Sequence, residues 1–90
     1  MIIAREIKVK GKVQGVYFRA SAQEIANQLG IIGTVKNELD GSVSICAEAE
    51  EKAMEQFINW CHTGSGASRV DEVWVSNNSL DHFSSFEIIG

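Results

Sequence analysis

The segment Gly11-Lys12-Val13-Gln14-Gly15-Val16-Tyr17-Phe18-Arg19 has the residue types of an anion site. Two glycines permit a tight backbone path. Helical spacing sets in directly after it, so the segment leads into a helix start. There the free backbone N–H groups and the helix dipole favour negative charge. Arg19 falls in the first turn of that helix, where a planar, permanently charged guanidinium matches phosphate oxygens. The chemistry expected here is done on a phosphoryl or carboxylate group. No Gly-Lys-Ser/Thr follows at P-loop spacing and no strand-linked acid is placed to hold magnesium. One phosphoryl-sized anion therefore fits better than a nucleoside triphosphate.

Other residues admit two readings each. Arg19 taken alone is also an ordinary solvated helix arginine, and Gly11 and Gly15 are also turn glycines. Asn37 is either a turn residue, as asparagine commonly is, or an amide that accepts from and donates to a water molecule. Tyr17, within the loop, is placed to rim an anion pocket. His62 and His82 lie in terminal or loop segments with no serine or cysteine nucleophile arranged beside them, and read as structural. Trp60 and Trp74 read as packing residues.

These residues need a scaffold. Ile7 to Val13 alternates apolar and polar residues, a strand with one buried face and Lys8, Lys10 and Lys12 on the other. Phe18, Ala22, Ile25 and Leu29 form a helical stripe that Gly30 ends. Strands follow over Ile31 to Asn37 and Val43 to Ala47, joined by the turn Glu38-Leu39-Asp40-Gly41, whose Asp-Gly supplies the left-handed backbone. A second helix from near Glu50 buries Met54, Phe57, Ile58 and Cys61. Strands over Val70 to Val75 and Phe83 to Ile89 close the chain. The order β-α-β-β-α-β plus an extra C-terminal strand predicts an α+β fold of ferredoxin-like type. It is a two-layer sandwich, with a mainly antiparallel sheet and both helices on one face.

Ninety residues make one small domain, residues 1–90, with 44% hydrophobic and 22% charged residues, a balance that disordered chains do not have. No apolar run is long enough to span a bilayer and no secretory leader is visible, so a cytoplasmic location with no membrane partner is expected. Cys46 falls on the outward face of its strand and Cys61 on the inward face of its helix, which disfavours a disulfide; the two cysteines are too distant in sequence, with too few histidines, for a zinc site. The net charge is −4, unevenly spread: residues 1–36 hold six basic side chains against two acids, residues 37–90 two against ten. That pattern points to a local anion site and away from nucleic acid, which calls for a basic domain. RNA readers of this strand order stack bases on central-strand aromatics, and the first strand and Val43 to Ala47 have none.

Gly11 to Arg19 resembles the acylphosphatase signature G-x-V-Q-G-V-x-F-R. Gly33-Thr34-Val35-Lys36-Asn37 with Asp40-Gly41-Ser42-Val43 resembles the second signature of that family, G-x-V-x-N-x-x-D-G-x-V. Ala26 with Leu29-Gly30 fits its A-x-x-L-G, and Phe57 to Trp60 and Ala67 to Val70 agree more loosely. The resemblance spans nearly the whole chain. It implies hydrolysis of the carboxyl–phosphate bond of small acyl phosphates to a carboxylate and inorganic phosphate, the latter also a competitive inhibitor. It further implies a metal-free mechanism without a phosphoenzyme; no cofactor is expected, and nothing in the sequence demands more than a monomer. By the same likeness Arg19 and the backbone amides of Gln14, Gly15, Val16, Tyr17, Phe18 and Arg19 bind the phosphoryl group, and Asn37 orients the attacking water. Thr34 and Ser65-Gly66-Ala67 depart from the pattern, where many relatives carry an aromatic residue and a proline-rich segment, and neither is expected to touch the motif residues. A rival is a carbamoyl-phosphate-handling domain of a larger machine, which the chain's self-contained length disfavours.

Overall fold

Strand pairing begins earlier than alternation announces. In the computed structural model, which describes residues 1–90, β1 runs over Ile2–Lys12 rather than from Ile7. Its start, Ile2-Ile3-Ala4, is apolar without period, yet Ile2 to Val9 pairs antiparallel with β3 (Val43–Glu50). On its other side β1 pairs antiparallel with β4 (Arg69–Asn77). β2 (Ile32–Asn37) pairs antiparallel with β3 and parallel with β5 (Phe86–Ile88). The sheet order is β4-β1-β3-β2-β5.

Gly11 belongs to this sheet and not to a turn. The β1–β4 register shifts between Lys10 and Gly11, and Gly11 takes φ 133°. A Cβ there would strike the carbonyl of Arg69 on the neighbouring strand, so only glycine lets the two backbones approach.

Helix α1 spans Phe18–Leu29 and ends at Gly30 in the left-handed region, φ 75°. Its most buried positions are Phe18, Ala22 and Ala26, with Ile25 and Leu29 at the flank. Helix α2 spans Glu51–Thr63 and buries Met54, Phe57 and Cys61. Both pack on one face of the sheet, against Ile7, Val9, Val35, Val43 and Ile45. Phe57 anchors this layer: its ring lies 5.9 Å from Phe86 edge-on and 6.2 Å from Trp60 stacked. Truncating such a fully buried phenylalanine to alanine costs about 3–5 kcal/mol.

Two expectations change on the other face of the sheet. Trp74 is not a packing residue: it is 60% exposed on the open face, with Lys10 Nζ 5.7 Å above its ring. The last strand is shorter than Phe83 to Ile89, because residues 81–83 are drawn away from strand pairing. The backbone N–H groups of Asp81, His82 and Phe83 all donate to the carboxylate of Glu48, which is 2% exposed beneath them. Both cysteines are free, and burial pushes the Cys61 thiol up to about 12, so it stays protonated. No helix is long and apolar enough to cross a membrane.

Candidate active site

Between β1 and α1 the chain turns through residues 13–17. Gly15 (φ 75°) and Tyr17 (φ 64°) are both left-handed, and Val16 between them is not. Such alternation turns successive N–H groups to one concave side, a nest that takes anions. For a non-glycine residue like Tyr17 this backbone is strained by about 1 kcal/mol or more. None of the N–H groups from Gln14 to Ala20 donates to any backbone or side-chain acceptor. The first intrahelical bond is that of Ser21 N–H to the Tyr17 carbonyl, at 3.0 Å.

The two helix starts differ in charge. α2 has Glu51 in its first turn and His62 in its last, as the dipole prefers. α1 has no acid in its first turn and no side-chain cap, and carries Arg19 there instead. A cation at the positive end of a helix costs about 0.3–1 kcal/mol. The molecule's four ion pairs are Met1 with Glu50, Lys8 with Asp40, Lys36 with Glu38 and Arg69 with Asp71; Arg19 is in none. Dipole, open N–H groups and guanidinium therefore share one sign, and an anion is the partner that all three lack.

A cavity of about 360 Å³ adjoins these groups, bounded by Gly15, Arg19 and the apolar Val13, Tyr17, Phe18 and Ile88. Tyr17 is 80% exposed at its rim. Ile88 pairs with Val35 across β5 and β2. Asn37 stands one pleat beyond Val35 on the same face of β2, so it lies at this end of the sheet. The Asn37 Oδ1 is buried without a hydrogen-bond partner, the one buried side-chain polar atom in the molecule so placed. Its Nδ2 makes no hydrogen bond either and remains open to solvent. A half-turn of the amide exchanges the two and presents the acceptor outward. A buried acceptor left unmatched costs about 1–3 kcal/mol.

An acylphosphatase family model matches residues 5–88. The chain belongs to the acylphosphatase family. It is 48% identical over 75 residues to an acylphosphatase of Shewanella amazonensis, covering 83% of this chain and 82% of that one. It is 51% identical over 75 residues to an acylphosphatase of Rhizorhabdus wittichii, covering 83% and 76%. Among solved structures, an acylphosphatase from Bacillus subtilis superposes with a TM-score of 0.95 at 37% identity over the whole of both chains. A full-length HypF in a phosphate- and nucleotide-bound form matches with a TM-score of 0.90 at 32% identity; it covers all of this chain and 12% of that longer one. The family assignment and the ferredoxin-like order expected from the sequence agree with these findings.

Two supports of this acylphosphatase loop escape local sequence reasoning. Ser65 Oγ donates to the Val16 carbonyl at 2.7 Å, so the segment that departs from the family pattern does touch the motif. Gln14 Nε2 donates to the carbonyls of Glu38 and Ser42, 2.8 Å each, in the turn after Asn37. That turn is itself tied down. Ser42 donates to Asp40 Oδ1 through its N–H at 2.9 Å and its hydroxyl at 2.5 Å, and Lys8 Nζ lies 3.1 Å from Asp40 Oδ2. The Ser42 hydroxyl and N–H, then Lys8, hold the Asp40 carboxyl well below the usual carboxylate range. His62 and His82 lie outside the cavity, and no group of three or more His, Cys, Asp or Glu is placed to hold a metal ion.

Proposed function

We propose that this chain hydrolyses the carboxyl–phosphate bond of small acyl phosphates, with the phosphoryl group held by Arg19 and the N–H groups of Gln14 to Arg19. The observation that carries the reading is the run of undonated N–H groups at a helix start that has a cation and no acid. Phosphoryl transfer asks for positioning and for charge stabilisation on the non-bridging oxygens. Preorganised amides and a guanidinium provide both without rearranging during the reaction.

Asn37 aims the water. The water oxygen attacks phosphorus and the bond from phosphorus to the carboxyl oxygen breaks. The electron pair leaves on the carboxylate, and the water proton passes to a phosphoryl oxygen. A carboxylate leaves readily, so no general acid is needed. The apolar wall of Val13, Tyr17 and Ile88 takes the acyl group. The protein works as a single-domain cytoplasmic monomer, and inorganic phosphate competes with substrate for the loop.

Phosphate release from an aryl acyl phosphate, measured beside an ordinary phosphate monoester in the presence of EDTA, tests this. Turnover of the acyl phosphate alone, unchanged by chelator, is expected. Equal turnover of both substrates, or inhibition by EDTA, overturns the reading.

A further inference from the structure

We propose that the Gln14 side chain is a positioning residue that fixes the Asn37 amide relative to the anion loop. This rests on the role proposed for Asn37. No backbone hydrogen bond joins residues 13–17 to residues 37–42. The hydrogen bonds between the two segments are those from Gln14 Nε2 to the carbonyls of Glu38 and Ser42, across 24 and 28 residues of sequence. Those carbonyls bracket the turn, since the Glu38 N–H also donates to the Ser42 carbonyl at 2.8 Å. The first of them belongs to the residue bonded directly to Asn37.

The chemistry calls for a primary amide. Two carbonyls need two donors from one atom, which –NH₂ supplies in a fixed plane. A glutamate of the same shape would present two acceptors to two acceptors. A lysine would supply donors, but from a freely rotating ammonium with no fixed plane. Gln14 thus serves the loop twice, with its backbone N–H turned to the phosphoryl group and its side chain holding the water-aiming residue at a set distance. Displacements of about an ångström from such geometry can cost roughly a hundredfold in rate.

The test is a double-mutant cycle with Gln14→Met and Asn37→Ala, read on an aryl acyl phosphate. Gln14→Met is expected to lower kcat ten- to a hundredfold while the inhibition constant of inorganic phosphate moves less than threefold. In the Asn37→Ala background the same change should cost less than threefold, because the residue it positions is gone. Equal losses in both backgrounds, or a parallel loss of phosphate affinity, overturn the proposal. Gln14→Glu keeps the shape of the side chain and regains one donor when protonated. Its kcat relative to the parent should climb as pH falls below about 5, near the ordinary glutamate pKa, and a flat ratio counts against the proposal. Unfolding of both variants would also overturn it, making Gln14 a prop of the whole fold. An Asn37→Ala variant of full activity would instead remove the role given to Asn37.

Discussion

The chain treats the backbone N–H groups of residues 81–83 and those of residues 14–20 oppositely. At residues 81–83 the three donors converge on the buried carboxylate of Glu48, a side chain from β3. At residues 14–20 the donors meet no acceptor of the chain, and the charge beside them is Arg19. The first run fastens the segment before β5 to the sheet. The second has the same donor chemistry with the internal acid left out and a cation added. The chain satisfies such donors from within at residues 81–83 and leaves them open at residues 14–20, the place proposed here for the phosphoryl group.

Removing the cation is the strongest way to break that contrast. Arg19→Ala deletes two charge-assisted hydrogen bonds of about 1.5–3 kcal/mol each. At about 1.4 kcal/mol per tenfold, kcat/KM should fall roughly a hundred- to ten-thousandfold with the fold intact. Activity within tenfold of the parent would show that the loop works without its guanidinium. Asn37→Ala should reduce kcat by roughly a hundredfold, with inorganic phosphate still inhibiting competitively. A loss of stability alone would return Asn37 to the status of a turn residue.

The same comparison predicts a variant of opposite character. Glu48→Ala orphans the donors of residues 81–83 and should lower the unfolding free energy in urea by about 2 kcal/mol, while kcat stays within threefold below the transition. A collapse of kcat in the folded state would mean that the two runs are not separate devices.

A smaller effect concerns pH. The Asp40 carboxyl is held below its ordinary value, so it stabilises the folded turn above the unfolded-state pKa of about 3.9. That contribution is lost as pH falls below that value. The Tm of Asp40→Asn should therefore fall less steeply than that of the parent between about pH 4 and pH 2. Parallel curves would mean that the Asp40 contacts do not matter to stability.

What the sequence makes legible here is what lies close together in the chain. The segment from Gly15 to Arg19 is contiguous, so its glycine, its helix start and its arginine are read as one unit. The second signature places Asn37 in the same way. Alternation reveals β1 only from Ile7, because Ile2-Ile3-Ala4 is apolar without period; its pairing with Ala49 and Glu50 comes from a strand more than forty residues away. Gly11 reads as a turn residue because the carbonyl that forbids a Cβ belongs to Arg69. Gln14, Ser65 and Glu48 act through bonds that span 24 to 49 residues, and no local pattern encodes them. Trp74 reads as core by its type. Its face of β4 is the open one, which only the complete sheet reveals.

The central claim is that the N–H groups of residues 14–20 are built for an anion and those of residues 81–83 are not. An amide ¹H–¹⁵N correlation spectrum recorded during titration with inorganic phosphate reads both runs at once. Saturable shifts confined to the loop and the first turn of α1, absent from residues 81–83 and abolished by Arg19→Ala, are the predicted result. Shifts spread evenly over the surface, or none in the loop at phosphate concentrations that inhibit turnover, would contradict it.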